Sequence, residues 1–294
     1  AEKASNIGAY AQARLDLTDR LHTSFGGRAD FQSFTGTNGY SNDVSGLSGN
    51  FSAAYDLTDF LTASAGVSHV FGGIPLAENF IQNPAWTYAG GVEAVTANNV
   101  YAGLTARLGD FDLSGKVFQT SISNARTPSW GGGAGLNKDM KSTGFELALG
   151  YNWASGFARL GYANIDTTID GAASDSYNGN YLTTPIGQIF TLEAAHTFVD
   201  HGVTIGASGQ IVLSETSTST ATGGVGQALP GYEVFNAYAE YTPTQYENLT
   251  FRASVNNIFD ETYSARATYG GEYASVVPLR EPGRTFKVSL KAKF

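Results

Sequence analysis

Cysteine is absent from the 294 residues, methionine occurs once, tryptophan three times and histidine four times. The missing cysteine excludes a disulfide framework, thiolate zinc ligation and cysteine nucleophiles, and it suits a chain that crosses an oxidising compartment. Charge is scarce too. Only 15% of residues are Asp, Glu, Lys or Arg, and the net charge of -9 argues against nucleic acid as a partner, which needs clustered cations to displace phosphate counterions. No apolar run approaches the roughly 20 residues of a membrane helix, so a chain that spans a bilayer would do so as a β-barrel. The opening AEKASNIGAY shows no basic stretch followed by an apolar core, so no signal peptide is read there.

What is present points to β structure: 36 Gly, 16 Tyr and 18 Phe, with abundant Thr and Ser. In the final segment, Phe286, Val288, Leu290, Ala292 and Phe294 alternate with Thr285, Lys287, Ser289, Lys291 and Lys293. Successive strand side chains point to opposite faces, so one face of this strand is apolar and the other polar. A soluble sandwich and a membrane barrel both satisfy that pattern, with the polar face outward in one and inward in the other. Similar alternation runs through 5–15, 21–32, 100–107, 111–117 and 249–256. About 13 such runs occur, most near the roughly 9 to 11 residues that a tilted strand needs to cross a bilayer.

The connections decide between the two. Short turns at 16–20, 56–60, 108–110, 152–156, 199–202 and 243–248 alternate with long segments near 35–46, 72–98, 124–140, 171–185, 217–230 and 260–280. Tight turns at one end and long loops at the other are the asymmetry of outer-membrane barrels. The first and last strands both run toward the short-turn end, so the strand count is odd. A cryptic hairpin within WTYAGGVEAVT would change it by two and leave it odd. Single-chain bacterial barrels close with even, antiparallel counts. These strands are therefore expected to form part of a larger barrel.

Three ordered stretches, LPGYEVFNAYAEYTP, NLTFRASVNNIFDETY and EPGRTFKVSLKAKF, resemble the last strands of a TonB-dependent outer-membrane receptor. Upstream, IGAYAQARLDLTDRLHTSFGGRADFQSF resembles a mid-barrel strand, turn and strand of that family, and FGGIPLAENF with NPAW is similar to the region where haem-type members carry two motifs. The resemblance implies an all-β, transmembrane antiparallel barrel of the 22-stranded, plugged type, of which residues 1–294 would be the C-terminal portion, without the plug. It implies uptake of an iron chelate or similar scarce nutrient, with a siderophore ranked ahead of haem, driven by TonB through the missing plug. It also implies outer-membrane lipid as surroundings and the outer-membrane insertion machinery as a partner that reads a terminal signal at Phe294. In haem-type relatives an axial histidine lies between the two motifs, whereas ENFIQNPAW contains none, which favours a chelate. A passive porin or structural barrel segment is the alternative from another class.

Neither a catalytic constellation nor a cofactor or metal site stands out: GASGQ lacks the nucleophile elbow, and GTNGYSNDVSG lacks the carboxylate spacing of a calcium loop. By parity, Arg14, Arg28, Asp30, Arg107, Lys116, Glu146, Arg159, Glu193 and Arg252 face the wet lumen, because charges on a lipid face are costly. Trp86, Tyr88, Trp130, Arg266, Tyr269 and Tyr273 lie in the long segments and are the candidate ligand contacts, the aromatics offering flat apolar surface with a polar tip. His69 falls on the apolar parity, facing lipid or the aromatic belt.

Overall fold

The computed structural model describes residues 1–77, 83–126, 137–174, 184–219, 226, 228–266 and 279–293. The alternating runs form strands because a β-strand is the conformation that sends every second apolar residue to one face. They are β1 (Lys3–Thr18), β2 (Leu21–Thr35), β3 (Ser41–Thr58), β4 (Leu61–Gly73), β5 (Val95–Leu108), β6 (Phe111–Arg126), β7 (Asn137–Trp153) and β8 (Gly156–Ile169). There follow β9 (Ala172–Ala173), β10 (Gly187–Phe198), β11 (Val203–Val212), β12 (Tyr232–Tyr241), β13 (Leu249–Asn256) and β14 (Thr285–Ala292). All pair antiparallel with their sequence neighbours in one sheet, except that β8 pairs both β10 and the two-residue β9.

Thirteen strands lie on the continuous path, and its two ends, β1 and β14, do not pair with each other. They point the same way, since every step along the path reverses direction. The sheet is thus an open part of a barrel. Three details depart from the sequence reading. The 35–46 loop shrinks to residues 36–40, because β2 and β3 stay paired up to Thr35 and Ser41. No strand forms among the described residues of the 74–94 segment, so the cryptic hairpin is not there, and the added hairpin is instead β8–β9. Several strands also outrun the membrane requirement, β3 reaching 18 residues and β7 reaching 17.

The register joins like faces across every pair. Ala53 sits opposite Ala65, Leu149 opposite Leu160, Ala207 opposite Ala237 and Phe251 opposite Leu290 on the apolar face. Toward the long-loop end that face finishes in a polar row across six neighbouring strands: His69, Asn98, Gln119, Thr143, Asn164 and Gln188. Within it His69 Nδ1 lies 2.8 Å from Asn98 Oδ1, and the Tyr162 hydroxyl donates to Gln188 Oε1 at 2.9 Å. At the short-turn end Phe111, Tyr151, Trp153, His196 and Phe198 make a chain of ring contacts. From Gln188 to His196 the strand rises roughly 26 Å, or about 20 Å once tilted by some 40°, close to the apolar band of an outer-membrane barrel.

Candidate functional site: the inner wall and its infolded loops

The nine charged residues assigned to the lumen by parity all fall on the polar face of the sheet. Register places Lys116 opposite Glu146, Arg159 opposite Glu193, Arg107 opposite Asp112 and Glu240 opposite Arg252. Their side chains meet at 3.1, 3.8, 3.0 and 2.7 Å in the same order. The Arg252 guanidinium also lies over the Tyr238 ring, 3.9 Å from its centroid. Arg28 pairs along its own strand with Asp30 at 2.7 Å, and Asn6 donates to the same carboxylate at 2.9 Å. Asp112 and Glu240 were not singled out from the sequence. The signal for Asp112 was available, since a two-residue turn at 109–110 sets it opposite Arg107. A cavity of about 710 Å³ opens on this wall, bordered by Arg107, Asp112, Arg159 and Glu193.

Above the wall the 74–94 segment folds onto the polar face of β2 and β3. Phe34, Ile74, Trp86, Tyr88 and Val92 form a buried cluster, with Tyr40 and Val44 packed against it. Tyr88 stacks on Tyr40 with centroids 5.0 Å apart and meets Phe34 edge-on at 6.0 Å. Gln32 fixes the start of the segment by accepting from the Ile74 amide at 2.6 Å and donating to its carbonyl at 3.2 Å. Asn42 donates to the Val92 carbonyl at 2.9 Å and holds the far end. A Cβ at Gly36 would fall inside the Tyr88 ring, so glycine is what lets the β2–β3 turn lie flat beneath that side chain.

An ion pair closes this cluster. Arg126, the last residue of β6, binds Glu2, just ahead of β1, through two parallel bonds of 2.6 and 2.9 Å. The Tyr88 hydroxyl donates to Glu2 Oε1 at 2.7 Å, the Ala77 amide donates to Oε2 at 2.7 Å, and Arg126 also reaches the Pro75 carbonyl at 2.9 Å. Burial pushes the Glu2 carboxyl up, but the bonds from Arg126, the Ala77 amide and Tyr88, with the guanidinium charge, together hold it below its ordinary value of 4.5. Burial raises the Tyr88 phenol, and the Glu2 carboxylate adds to that. No sequence pattern links Glu2 to Arg126, because they are brought together only by six strands and a loop.

Trp86 and Tyr88 are therefore interior residues of the loop core. Arg266 has a comparable place in a second cluster built on Val212, Tyr232 and Val234, with Tyr263 packed against it. It is buried and donates to the Pro230 carbonyl at 2.7 Å and the Leu213 carbonyl at 2.5 Å. Trp130, Tyr269, Tyr273 and Phe294 lie outside the described residues. All four histidines are placed: His69 and His196 on the apolar face, His22 on the polar face at the short-turn rim between Asp16 and Asp56, and His201 in a short turn.

An apolar outer face bounded by a polar row and an aromatic row, a wet charged inner face, and two buried clusters of described loop residues at one end define the wall of an outer-membrane β-barrel. Residues 1–258 match the family described as TonB dependent receptor-like, beta-barrel, and the chain belongs to that family. Its place is the bacterial outer membrane. The haem transporter BhuA of Brucella ovis is 28% identical over 98% of this chain and 44% of its own length. The FrpB iron transporter of Neisseria meningitidis superposes with a TM-score of 0.78 at 20% identity, over all of this chain and 46% of its own. The Pseudomonas aeruginosa receptor FpvA, solved bound to pyoverdines, gives 0.74 at 19% identity, over all of this chain and 39% of its own. The chain thus spans less than half the length of these relatives. These relatives are named as transporters and receptors.

Proposed function

We propose that residues 1–294 form the C-terminal part of the barrel of a receptor that takes up an iron complex, with energy delivered by TonB through a plug held against the inner wall. The observation that carries this reading is the family match together with relatives named for haem and iron transport. The plug, TonB and the insertion machinery that would read Phe294 are the proposed partners. A ferric chelate is the favoured cargo. The four histidines sit on the outer face, at the short-turn rim or in a short turn, so an iron that arrives already wrapped by its own chelator fits this wall better than one needing an imidazole ligand. Likeness to BhuA supports haem as the second reading.

In this reading the ligand meets the loops at the barrel mouth. Trp86, Tyr88 and Arg266 hold loop shape, while Trp130, Tyr269 and Tyr273 are the proposed contacts. Binding residues commonly sit on loops carried by a rigid scaffold. The test is uptake of radiolabelled iron by cells expressing the full-length receptor, offered as ferric siderophore or as haem. Removing 127–136 or 267–278, which spares the strand ends at Arg126 and Asn137, should abolish siderophore-iron uptake while the barrel still assembles. His69→Ala should leave uptake unchanged. Loss with His69→Ala but not with the loop deletions would overturn the chelate reading in favour of haem.

A further inference from the structure

The aromatic row at the short-turn end contains one polar pair. Trp153, the last residue of β7, donates its indole N–H to His196 Nδ1 on β10 at 2.9 Å, and the two rings lie 22° from parallel with centroids 6.1 Å apart. An indole nitrogen can only donate, so Nδ1 of the neutral imidazole must be the acceptor and its proton must sit on Nε2. No described residue accepts from Nε2. Phe198 packs edge-on to the imidazole at 4.6 Å and completes an apolar rim beside it.

Two independent features fix the depth of this pair. It sits on the apolar face one strand length below the polar row that ends at Gln188, and it is next to the short turns of 154–155 and 199–202. That is the level where the apolar band of the periplasmic leaflet meets its headgroups, and where amphipathic rings settle in membrane proteins. We infer that Trp153 and His196 form a headgroup site for one phospholipid of the periplasmic leaflet, with Nε2–H donating to a phosphodiester oxygen and the Trp153, Phe198 and Tyr151 rings flanking the glycerol and upper acyl chain. Trp153 acts as a positioning residue, because its hydrogen bond sets the imidazole tautomer. The occupant is a phosphate-bearing lipid, since a charge-assisted acceptor gains most from a single fixed donor. This lipid face is continuous with the membrane-facing surface already described, and the outer-leaflet glycolipid lies at the opposite rim.

The test uses the full-length receptor purified in mild detergent, with lipid retention read by native mass spectrometry. Phosphatidylglycerol is one probe, and a galactosyl diacylglycerol, which has the same chains but no phosphate, is the other. The wild type should retain one phosphatidylglycerol more tightly than the galactolipid. His196→Phe keeps a ring but removes the donor and should weaken retention about tenfold, the scale of one hydrogen bond to a charged group. His196→Gln should recover part of that loss, because its amide can donate. Trp153→Phe should give a smaller decrease by freeing the tautomer, and His69→Phe at the other rim should change nothing. Heat-modifiable migration of each variant confirms that the barrel has assembled. Equal retention by wild type and His196→Phe, or equal retention of the two lipids by the wild type, would overturn the site.

Discussion

Lys116 and Glu146 meet across β6 and β7 with both side chains 46% exposed, whereas Arg126 and Glu2 meet inside the loop core at 3% and 0% exposure. The partners are of the same chemical kind, and the surroundings decide what each pair does. On the wet wall water solvates either ion alone, so losing the partner costs little. Inside the loop core an ion left alone has no water to turn to, and the pair works only as a complete unit with Tyr88 and the Ala77 amide. The wall pairs therefore tolerate change one at a time, while the loop pair holds the 74–94 segment in a single arrangement.

The strongest way to break that contrast is Arg126→Ala, which should destabilise the loop core by about 3–5 kcal/mol and expose the Trp86 indole, seen as a red shift in its emission in a receptor lacking the other tryptophans. Replacing Glu2 and Arg126 together by apolar residues of similar volume should cost far less, and a loss as large as that of the single change would mean the pair was not acting as a unit. A third environment sharpens the comparison. Arg at Ala253, on the lipid face, should cost about 2–4 kcal/mol in barrel stability, whereas Arg at Ser254, on the wet face, should be tolerated; equal effects would contradict the assigned faces.

Acid gives a graded version of the same break. The Glu2 carboxyl is held below 4.5 in the folded protein, so the stability it contributes is complete above 4.5 and is lost as pH falls through the lowered folded value. Hydrogen exchange at the Ala77 amide should stay protected at neutral and mildly acidic pH and rise only below 4.5. Exchange that already rose well above that value would show that the carboxylate is not what secures the loop. The smallest effect belongs to the wall. Lys116→Met should change barrel stability by less than about 1 kcal/mol in denaturant titration.

The faces of the strands and the alternation of short and long connections were legible because both follow from a period of two and from where that period breaks. The upper strand ends were harder to read. Around 35–46 the sequence GTNGYSNDVSG is rich in turn-formers, yet pairing to β2 carries it as strand from Ser41 onward. Trp86 and Tyr88 carried the composition of ligand contacts, but composition does not tell a flat aromatic at a mouth from one inside a loop's own core. Phe34 and Gly36 pack against Tyr88, and Trp86 shares the same buried cluster. Arg107 and Asp112 could be matched across their turn, whereas Glu2 and Arg126 could not be matched by any local rule.

Nearly every strand contact in this sheet joins sequence neighbours, so the wall can grow one hairpin at a time with little closure entropy at each step. The Glu2–Arg126 bond spans 124 residues and departs from that rule. It cannot form until β1 through β6 stand side by side and the 74–94 segment has settled between its partners. In the time course of assembly the bond is a late event, and its formation reports that the preceding six strands have taken their correct order.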